Sequence, residues 1–434
     1  MKRSIVWFKT DLRLQDNEAL VKAIESSDEI IPIYVIDPRQ FVLSEFGFKK
    51  TGQFRARFLL ETLEDLKKSL GELGSDLLIL KGKPEEEIPI QVKKYGVKTI
   101  FTKKEVAYEE LQVQCEVETE CWKLNCAVEV LSTSTLFHAV DLPFGLKDIP
   151  DVFSNFRKKV EHETPIRKVY QKPSRINSPI ITFSKVPSLS DFEFVEFIVD
   201  DRRVLAFKGG ENEALTRLNY YLFDSGKISN YKETRNGLIG EGYSTKLAPW
   251  LALGCISART IYWELKRYEE EKGANESTYW LFFELQWRDY FRFMMKKHRE
   301  KFFRLSGIKE PSKVLVKDDR SLLQKWIDGK TGDRFVDANM IELKQTGFIS
   351  NRGRQNVASF LIDQMNLDWR YGAAYFEQQL IDYDACSNWG NWAYLAGVGN
   401  DPRGKRIFDT EKQAKDYDPK NQYRNLWLTN KNQN

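Results

Sequence analysis

Short apolar runs alternate with amphipathic helical patterns through the first 135 residues. Five runs rich in β-branched and aromatic residues predict strands at residues 4–8, 30–36, 76–80, 99–102 and 127–131. Between the second and third runs, the segment QFRARFLLETLEDLKKSL places apolar residues every three or four positions, which predicts a helix that covers a sheet. This alternation predicts an α/β domain with a doubly wound parallel sheet at residues 1–135.

The pattern changes twice after that domain. Residues 136–205 lose the periodicity and are rich in proline, serine and charge, which predicts a long linker over the surface. Residues 206–428 carry one helical period after another, rich in aromatic residues, and show no convincing strand. We therefore expect an all-α second domain, followed by a short tail at residues 429–434.

Composition narrows the function only slightly. The 434 residues suit two domains, and the net charge of +4 permits an acidic partner without requiring one. Five cysteines without CxxC spacing or neighbouring histidines predict neither a disulfide framework nor a metal site, so we expect a reducing cytoplasm. No apolar run approaches the roughly 20 residues that span a bilayer, which predicts no membrane partner.

The segment LIDYDACSNWGNWAY, at residues 380–394, is the richest in chemically useful side chains. Asp384, Asn388 and Trp392 recur every four residues, so on a helix they would lie along one edge. An amide at that edge suits a heterocyclic nitrogen whose protonation changes with redox state, because the amide donates or accepts without titrating. Alternatively, Asn388 caps a turn and the tryptophans are ordinary core residues.

A second candidate ligand site lies at the start of an apolar helical run. Ser244, Thr245 and Lys246 precede Pro249 there, and hydroxyl and backbone donors at a helix start can hold a diphosphate. The alternative is a capped helix start, because serine and threonine are favoured caps and proline suits the first turn.

The helix predicted at residues 279–295 combines Glu284 with several aromatic residues. Spacings of three and four place Glu284 and Trp287 on one face, where a carboxylate among aromatic rings suits the lining of a pocket. Trp287 offers a flat surface on which a nucleobase can stack, for about 1–3 kcal/mol per base. The alternative is an ion pair between Glu284 and Arg288 beside a core tryptophan.

Several long segments together resemble the photolyase and cryptochrome family. They are SIVWFKTDLRLQDNEAL near the amino terminus, YSTKLAPWLALGCIS at residues 243–257, FFELQWRDYFRF at 282–293, and NRGRQNVASFL at 351–361 with the segment at 380–394. The resemblance extends from about residue 4 to about residue 428. Gln355, Tyr394 and the segment FSNFRKKVEHETPIR at residues 153–167 resemble the DASH cryptochromes within that family.

The resemblance implies that FAD lies among the carboxy-terminal helices. Arg354 would pair with Asp382 and hold positive charge near an anionic reduced flavin, and Asn388 would face flavin N5. Lys246 stands where many relatives have arginine and Ala248 where they have serine, so one hydroxyl contact should be missing. The cofactor-binding residues implied in this way are Tyr231, Ser244, Thr245, Lys246, Leu247, Glu284, Arg354, Asp382, Asp384 and Asn388.

The same resemblance implies a cavity that receives damaged DNA. Its catalytic residues would be Glu284, Trp287, Asn351 and Asn388. Its DNA contacts would be Trp287, Asn351, Arg352, Gln355 and Tyr394. Arg352 at the rim would contact a DNA phosphate and make the affinity for DNA sensitive to salt. The alternative for both arginines of NRGR is a side chain that is solvated or paired at the surface.

Two accessory features also follow from the resemblance. Trp392 and Trp369 match two members of an electron relay from the surface to the flavin, and the third position falls on Val316, so the relay ends at Trp369 or leaves through another aromatic residue.

In KKEVAYEE, Glu110 and secondly Glu109 fall where folate-binding relatives place a carboxylate, which implies a methenyltetrahydrofolate antenna. The alternative is a solvated helix face.

These features favour a monomeric, light-driven DNA repair flavoprotein, a deoxyribodipyrimidine photolyase of the DASH type. Excited reduced FAD would pass an electron to a cyclobutane pyrimidine dimer flipped into the cavity and then recover it. Single-stranded lesions are expected to be preferred, because they cost less to extrude. A blue-light photoreceptor that signals through a protein or nucleic-acid partner is the main alternative, and an electron-transfer flavoprotein without DNA is another.

A (6-4) repair activity is disfavoured by the histidines. In the family that chemistry relies on histidines in the cavity, and this chain has three, His138, His162 and His298, none of them near NRGRQ.

Overall fold

A computed structural model describes residues 1–180, 184–310 and 316–429. Its amino-terminal domain contains a parallel sheet of β1 (Arg3–Phe8), β2 (Glu29–Ile36), β3 (Leu78–Lys81), β4 (Thr99–Lys103) and β5 (Ala127–Leu131), in the order β3-β2-β1-β4-β5. The connecting helices are α1 (Glu18–Ser26), α2 (Gln53–Glu72), α3 (Pro84–Tyr95) and α4 (Tyr108–Trp122). The five predicted strands and their doubly wound arrangement are confirmed.

Alternate residues of β1 enter two different cores. Ile5 and Trp7 pack with apolar residues of α3 and α4 on one face of the sheet. Val6 and Phe8 point to the other face, into a core that includes α1, α2 and the helices of the second domain. The sheet is therefore buried on both faces, as parallel sheets usually are, and one continuous core joins the two domains.

The predicted linker contains a helix that enters this core. Helix α5 (Phe153–Glu163) lies within residues 136–205, and its Phe153, Phe156 and Val160 are buried. The sequence pattern missed α5 because three apolar residues in a charged segment carry little periodic signal. At α5 the chain thus enters the interior, whereas we predicted a path over the surface.

The second domain consists of helices. They are α6 (Glu211–Asn219), α7 (Tyr231–Thr234), α8 (Ala248–Ala252), α9 (Ala258–Lys272), α10 (Glu276–His298), α11 (Arg320–Ile327), α12 (Arg334–Thr346), α13 (Asn351–Asp363), α14 (Trp369–Gln379), α15 (Ala385–Leu395), α16 (Thr410–Tyr417) and α17 (Gln422–Leu428). No strand occurs in the described part of this domain, which confirms the all-α prediction. Of the predicted tail, residues 430–434 lie outside the described residues.

Three buried charged residues, Asp16, Glu211 and Arg259, form what we call the interdomain latch. Arg259, near the start of α9, donates two hydrogen bonds to the carboxylate of Asp16, at 2.7 and 3.0 Å. The carboxylate of Glu211 accepts the backbone N–H groups of Leu14 and Gln15, both at 2.9 Å. Every carboxylate oxygen of the latch has a partner, and the opening segment DLRLQDN is thereby attached to the second domain.

The lengths and hydropathies of the described helices bear on whether one of them could cross a membrane. Within residues 1–180, 184–310 and 316–429, no helix is both long and apolar enough to cross a bilayer.

Candidate functional site

The predicted line of Asp384, Asn388 and Trp392 forms at the start of α15. Asp384 is the N-cap, and its Oδ1 accepts the backbone N–H of Ser387 at 2.8 Å. Asn388 follows one turn later and donates from Nδ2 to the carbonyl of Ala373 at 3.0 Å. Because Asp384 supplies the cap, the alternative in which Asn388 caps a turn is wrong.

The second oxygen of Asp384 is held by an arginine that the sequence reasoning missed. Oδ2 accepts a hydrogen bond from Arg292 of α10 at 2.8 Å; the side chain of Arg292 is buried and that of Asp384 is partly buried. Burial opposes ionisation of Asp384, but Arg292 and Arg288 outweigh it and lower the pKa of Asp384 to about 2. Arg292 follows Glu284 by eight residues, so helical spacing places both residues on the same side of α10.

The predicted pair of Arg354 and Asp382 is present. Arg354 of α13 donates to Oδ2 of Asp382 at 2.8 Å, and it also donates to the carbonyl of Ile349 at 3.1 Å. The other oxygen of Asp382, Oδ1, is buried and has no hydrogen-bond partner among the described residues. Buried polar atoms without partners are rare, so this oxygen suits an N–H donor of a bound heterocycle.

Lys246 is the second incompletely partnered group in this region. Its side chain is buried at 3% exposure, and its backbone φ of 60° is uncommon for a residue other than glycine. The ammonium lies over the ring of Tyr243 and 3.4 Å from the hydroxyl of Ser244, and no described carboxylate lies within 4 Å of it. Burial lowers the pKa of Lys246 well below its usual value, and a phosphate would supply the missing counter-charge.

Arg217, which the sequence reasoning missed, donates hydrogen bonds to the loop that carries Lys246. Arg217 of α6 donates to the carbonyls of Thr245 at 2.9 Å and Glu241 at 2.8 Å. Helix α8 begins after Leu247, which makes no side-chain capping bond. The structure therefore does not support the alternative of a serine- or threonine-capped helix start.

A buried carboxylate completes what we call the charged cluster, namely Lys246, Glu342, Arg354 and Asp382. Glu342 of α12 accepts a hydrogen bond from the hydroxyl of Tyr423 at 2.5 Å. Burial raises the pKa of Glu342 to about 8, although Tyr423, Lys246 and Arg354 act in the opposite direction. No local signal marked Glu342, because its partner Tyr423 lies some eighty residues further along the chain in α17.

Glu284 of α10 forms an ion pair with an arginine outside its own helix. Its Oε1 accepts a hydrogen bond from Arg235, which follows α7. Arg288 instead donates to the carbonyls of Ser134 at 2.6 Å and Leu251 at 3.3 Å. The alternative of an intrahelical pair is therefore wrong, and burial raises the pKa of Glu284 against the effect of Arg235.

Trp287 lies between the predicted linker and α15. Its ring stacks on Phe153 of α5, with centroids 3.6 Å apart and an interplanar angle of 16°. Tyr394 meets Trp287 edge to face at 5.9 Å. The segment that resembled DASH cryptochromes at residues 153–167 thus reaches the residue predicted to stack on a base.

The rim residues predicted from NRGR come together at the start of α13. Asn351 is exposed, while Arg352 and Gln355 are partly buried. Arg352 donates to the side-chain oxygens of Gln355 at 2.9 Å and Asn236 at 3.1 Å. These partners are neutral and no described carboxylate lies within 4 Å, so the charge of Arg352 is not compensated and is able to attract a phosphate.

The two matched relay tryptophans are buried and each contacts a further tryptophan. Trp369 meets Trp389 edge to face at 5.8 Å, and Trp392 meets Trp326 at 6.3 Å. Val316, at the third matched position, is partly buried. An aromatic contact beyond Trp369 therefore leads to Trp389.

The two candidate antenna glutamates differ in their surroundings. Glu109 is exposed and pairs with Lys50. Glu110 is also exposed, and loss of hydration together with the charge of Glu105 raises its pKa to about 7. Glu110 is therefore protonated more readily near neutral pH than an ordinary glutamate.

Family models match both domains. The model for DNA photolyase matches residues 4–174, and the model for the FAD binding domain of DNA photolyase matches residues 280–433. A cryptochrome DASH from Gloeobacter violaceus is 46% identical over 428 residues, which are 98% of this chain and 85% of that protein. The helical domain is therefore similar to a domain that binds FAD.

Solved structures agree with these matches. A cryptochrome from Synechocystis sp. PCC6803 has a TM-score of 0.96 and 46% identity, covering 99% of this chain and 89% of that chain. A class III photolyase from Agrobacterium tumefaciens has a TM-score of 0.85 and 25% identity, covering 99% and 86%. The expected order of an α/β domain and an all-α FAD-binding domain is confirmed.

Proposed function

Because this chain belongs to the photolyase and cryptochrome family and is similar to its DASH cryptochromes, we propose that it is a light-driven DNA repair enzyme. Its reaction is the splitting of cyclobutane pyrimidine dimers, and its preferred substrate is single-stranded DNA. The observation that carries the proposal is the charged cluster, in which the buried ammonium of Lys246 has no carboxylate partner and Oδ1 of Asp382 has no hydrogen-bond partner among the described residues. By resemblance, both positions match FAD contacts.

The charged cluster and α15 fit FAD. Lys246 and the hydroxyls of Ser244 and Thr245 would hold the diphosphate, and Oδ1 of Asp382 would accept an N–H of the flavin ring. Bound and reduced, FAD supplies the electron that light-driven repair requires. The guanidinium of Arg354 places positive charge beside the ring position and favours an anionic flavin electrostatically.

The lesion would occupy the space beside Trp287. A flipped pyrimidine would stack on the face of Trp287 opposite Phe153, with the nearly perpendicular ring of Tyr394 beside it. Glu284 would lie at its polar edge and Arg352 near the backbone phosphate. Arg235 keeps Glu284 in place, since it donates to the carboxylate. An already unstacked dimer avoids most of the extrusion cost, which favours single strands.

We further propose a folate antenna in the cleft beside Glu110. The carboxylate of Glu110 is accessible, and a pKa near neutrality allows it to ionise when donor groups of a pterin approach. The guanidinium of Arg55 lies over the ring of Tyr383, 4.5 Å from its centroid, and both residues are near Glu110. The aromatic ring of Tyr383 and the cationic guanidinium of Arg55 both suit contact with a flat, electron-rich heterocycle.

A blue-light assay tests the proposal. Oligonucleotides that contain one dimer, single-stranded and duplex, are illuminated with the reduced holoprotein, and loss of the dimer is followed by chromatography. We expect light-dependent repair that is faster on the single strand, reduced about tenfold or more in Trp287→Ala because one stacking surface is lost. The matched control is Trp122→Ala, since Trp122 is exposed on α4.

Two outcomes would overturn the proposal in different ways. A protein that retains FAD but removes no dimer from either substrate is better explained as a blue-light receptor. A purified protein without flavin absorbance would instead remove the cofactor itself.

A further inference from the structure

A small pocket lies at the carboxyl ends of β4 and β5, against α10. Lys104, Thr133, Ser134 and Lys296 line it. The pocket lies outside the carboxyl ends of the strands, on the edge at which doubly wound sheets bind ligands, and it is one strand away from the junction of β1 and β4, where the strand order reverses. The residues assigned above to FAD, the lesion and the antenna do not line this pocket.

The two lysines of the pocket lack a counter-charge. Within the described chain, no carboxylate lies within 4 Å of the ammonium of Lys104 or of Lys296. Lys296 is partly buried, and burial together with the neighbouring Lys104 lowers its pKa. Arg292 also lines the pocket, but its guanidinium already pairs with Asp384. The pocket therefore holds an excess of positive charge.

Two hydroxyls at the base of the pocket are also without partners. Thr133 is 3% exposed, and its Oγ1 has no hydrogen-bond partner among the described residues. The same is true of Oγ of Ser134. A hydroxyl can donate one hydrogen bond and an ammonium three, so each of these four lining side chains has a donor without a carboxylate partner.

We propose that this pocket binds an oxyanion of the phosphate class. A tetrahedral phosphate carries negative charge and several acceptor oxygens, and it would satisfy the two ammonium groups and the two hydroxyls together. A metal cation is excluded by the charge of the lining. Free phosphate and the phosphate of a mononucleotide share this chemistry.

Calorimetric titration of the full-length, FAD-loaded protein with inorganic phosphate tests the proposal, because bound FAD occupies the position at Lys246 that would otherwise attract phosphate. Sodium chloride keeps the ionic strength constant, so that screening is the same throughout. We expect saturable binding at one site, weakened about tenfold or more in Lys296→Gln and in Thr133→Val, because each variant removes a donor. The control is Lys325→Gln, since Lys325 is exposed on α11 and has no ion pair among the described residues.

A second variant separates binding from folding. Lys104 is exposed, so Lys104→Gln keeps the packing. Without phosphate we expect this variant to melt at the same temperature as the parent protein or higher, because it removes a like-charge repulsion. With phosphate we expect the parent to gain more thermal stability than the variant.

Titration with adenosine monophosphate identifies the source of the anion. Binding about tenfold tighter than that of phosphate assigns the pocket to a nucleotide, and equal binding assigns it to the free anion. Absence of saturable phosphate binding, or equal binding by Lys296→Gln, Thr133→Val and the parent, overturns the proposal. These measurements need neither light nor DNA, so their failure is distinct from a failure of the repair assay.

Discussion

The interdomain latch and the charged cluster both bury ionisable groups, but the hydrogen bonding of these groups differs. In the latch, both oxygens of Asp16 and both oxygens of Glu211 accept hydrogen bonds from the protein. In the charged cluster, Oδ1 of Asp382 has no partner among the described residues and Lys246 has no carboxylate within 4 Å. Complete partnering is typical of a structural role, because a buried charge is tolerated when it is paired and hydrogen-bonded.

The difference gives an expectation about stability. Removal of one member of the latch leaves its partner buried and unpaired, which destabilises the folded state. Removal of a charge that has no partner in the cluster relieves a desolvation cost, because the protein alone does not offset that cost. The same removal weakens the binding of FAD. We therefore expect substitutions in the latch to lower the free energy of unfolding and substitutions in the charged cluster to lower the affinity for FAD.

The largest expected effect is in the latch. Arg259→Ala leaves the carboxylate of Asp16 fully buried with only one remaining donor, the backbone N–H of Tyr170. We expect a loss of about 3–5 kcal/mol in the free energy of unfolding, measured by urea denaturation. Arg267→Ala on the same helix is the control, since its pairs with Glu264 and Glu271 are exposed and contribute about 1 kcal/mol or less. Equal losses in the two variants would contradict the structural role of the latch.

The second effect is on cofactor affinity. Lys246→Met keeps the length of the side chain and removes the ammonium, so FAD should bind about tenfold to a hundredfold more weakly, as expected for loss of a charged hydrogen bond. The flavin-free protein should be as stable as the parent or more so, because an uncompensated buried charge is gone. Fluorescence titration with FAD and urea denaturation of the flavin-free protein measure the two quantities. A less stable flavin-free variant with unchanged FAD affinity would assign Lys246 to the structure.

The third effect is a pH dependence, which is the smallest of the three over a single pH unit. Since the pKa of Glu342 in the folded protein is raised to about 8 from an ordinary value near 4.5, the folded state holds an extra proton between these values. The free energy of unfolding should therefore fall as the pH rises through this window, by on the order of 1 kcal/mol per pH unit, and level off above it.

Glu342→Gln should remove that slope, because a glutamine does not titrate. Denaturation of both proteins at pH 5, 6, 7 and 8 isolates the contribution, with the exposed Glu45→Gln as the control. Parallel pH profiles for Glu342→Gln and the parent would show that Glu342 is already ionised at pH 5.

Local patterns were enough to predict the elements of the fold and part of the site. The strands were found because β-branched runs and turns recur along the chain, and α10 because aromatic residues follow a helical period. The spacing of four between Asp384 and Asn388 predicted their common edge. The roles of Arg354 and Asp382 came from family resemblance, and their contact is present in the structure.

The amino-acid sequence by itself determined the order of strands and helices and the residues that share a helix face, since these depend on neighbours a few positions apart. Only the tertiary structure decided which distant side chains meet: Arg292 with Asp384, Tyr423 with Glu342, and Arg259 with Asp16. It also brought Lys104 near enough to Lys296 to influence its pKa. Such pairs have no local periodic signal, because the chain brings them together only when the helices pack. The same packing decides which buried groups remain unsatisfied, and these unsatisfied groups indicate where ligands bind.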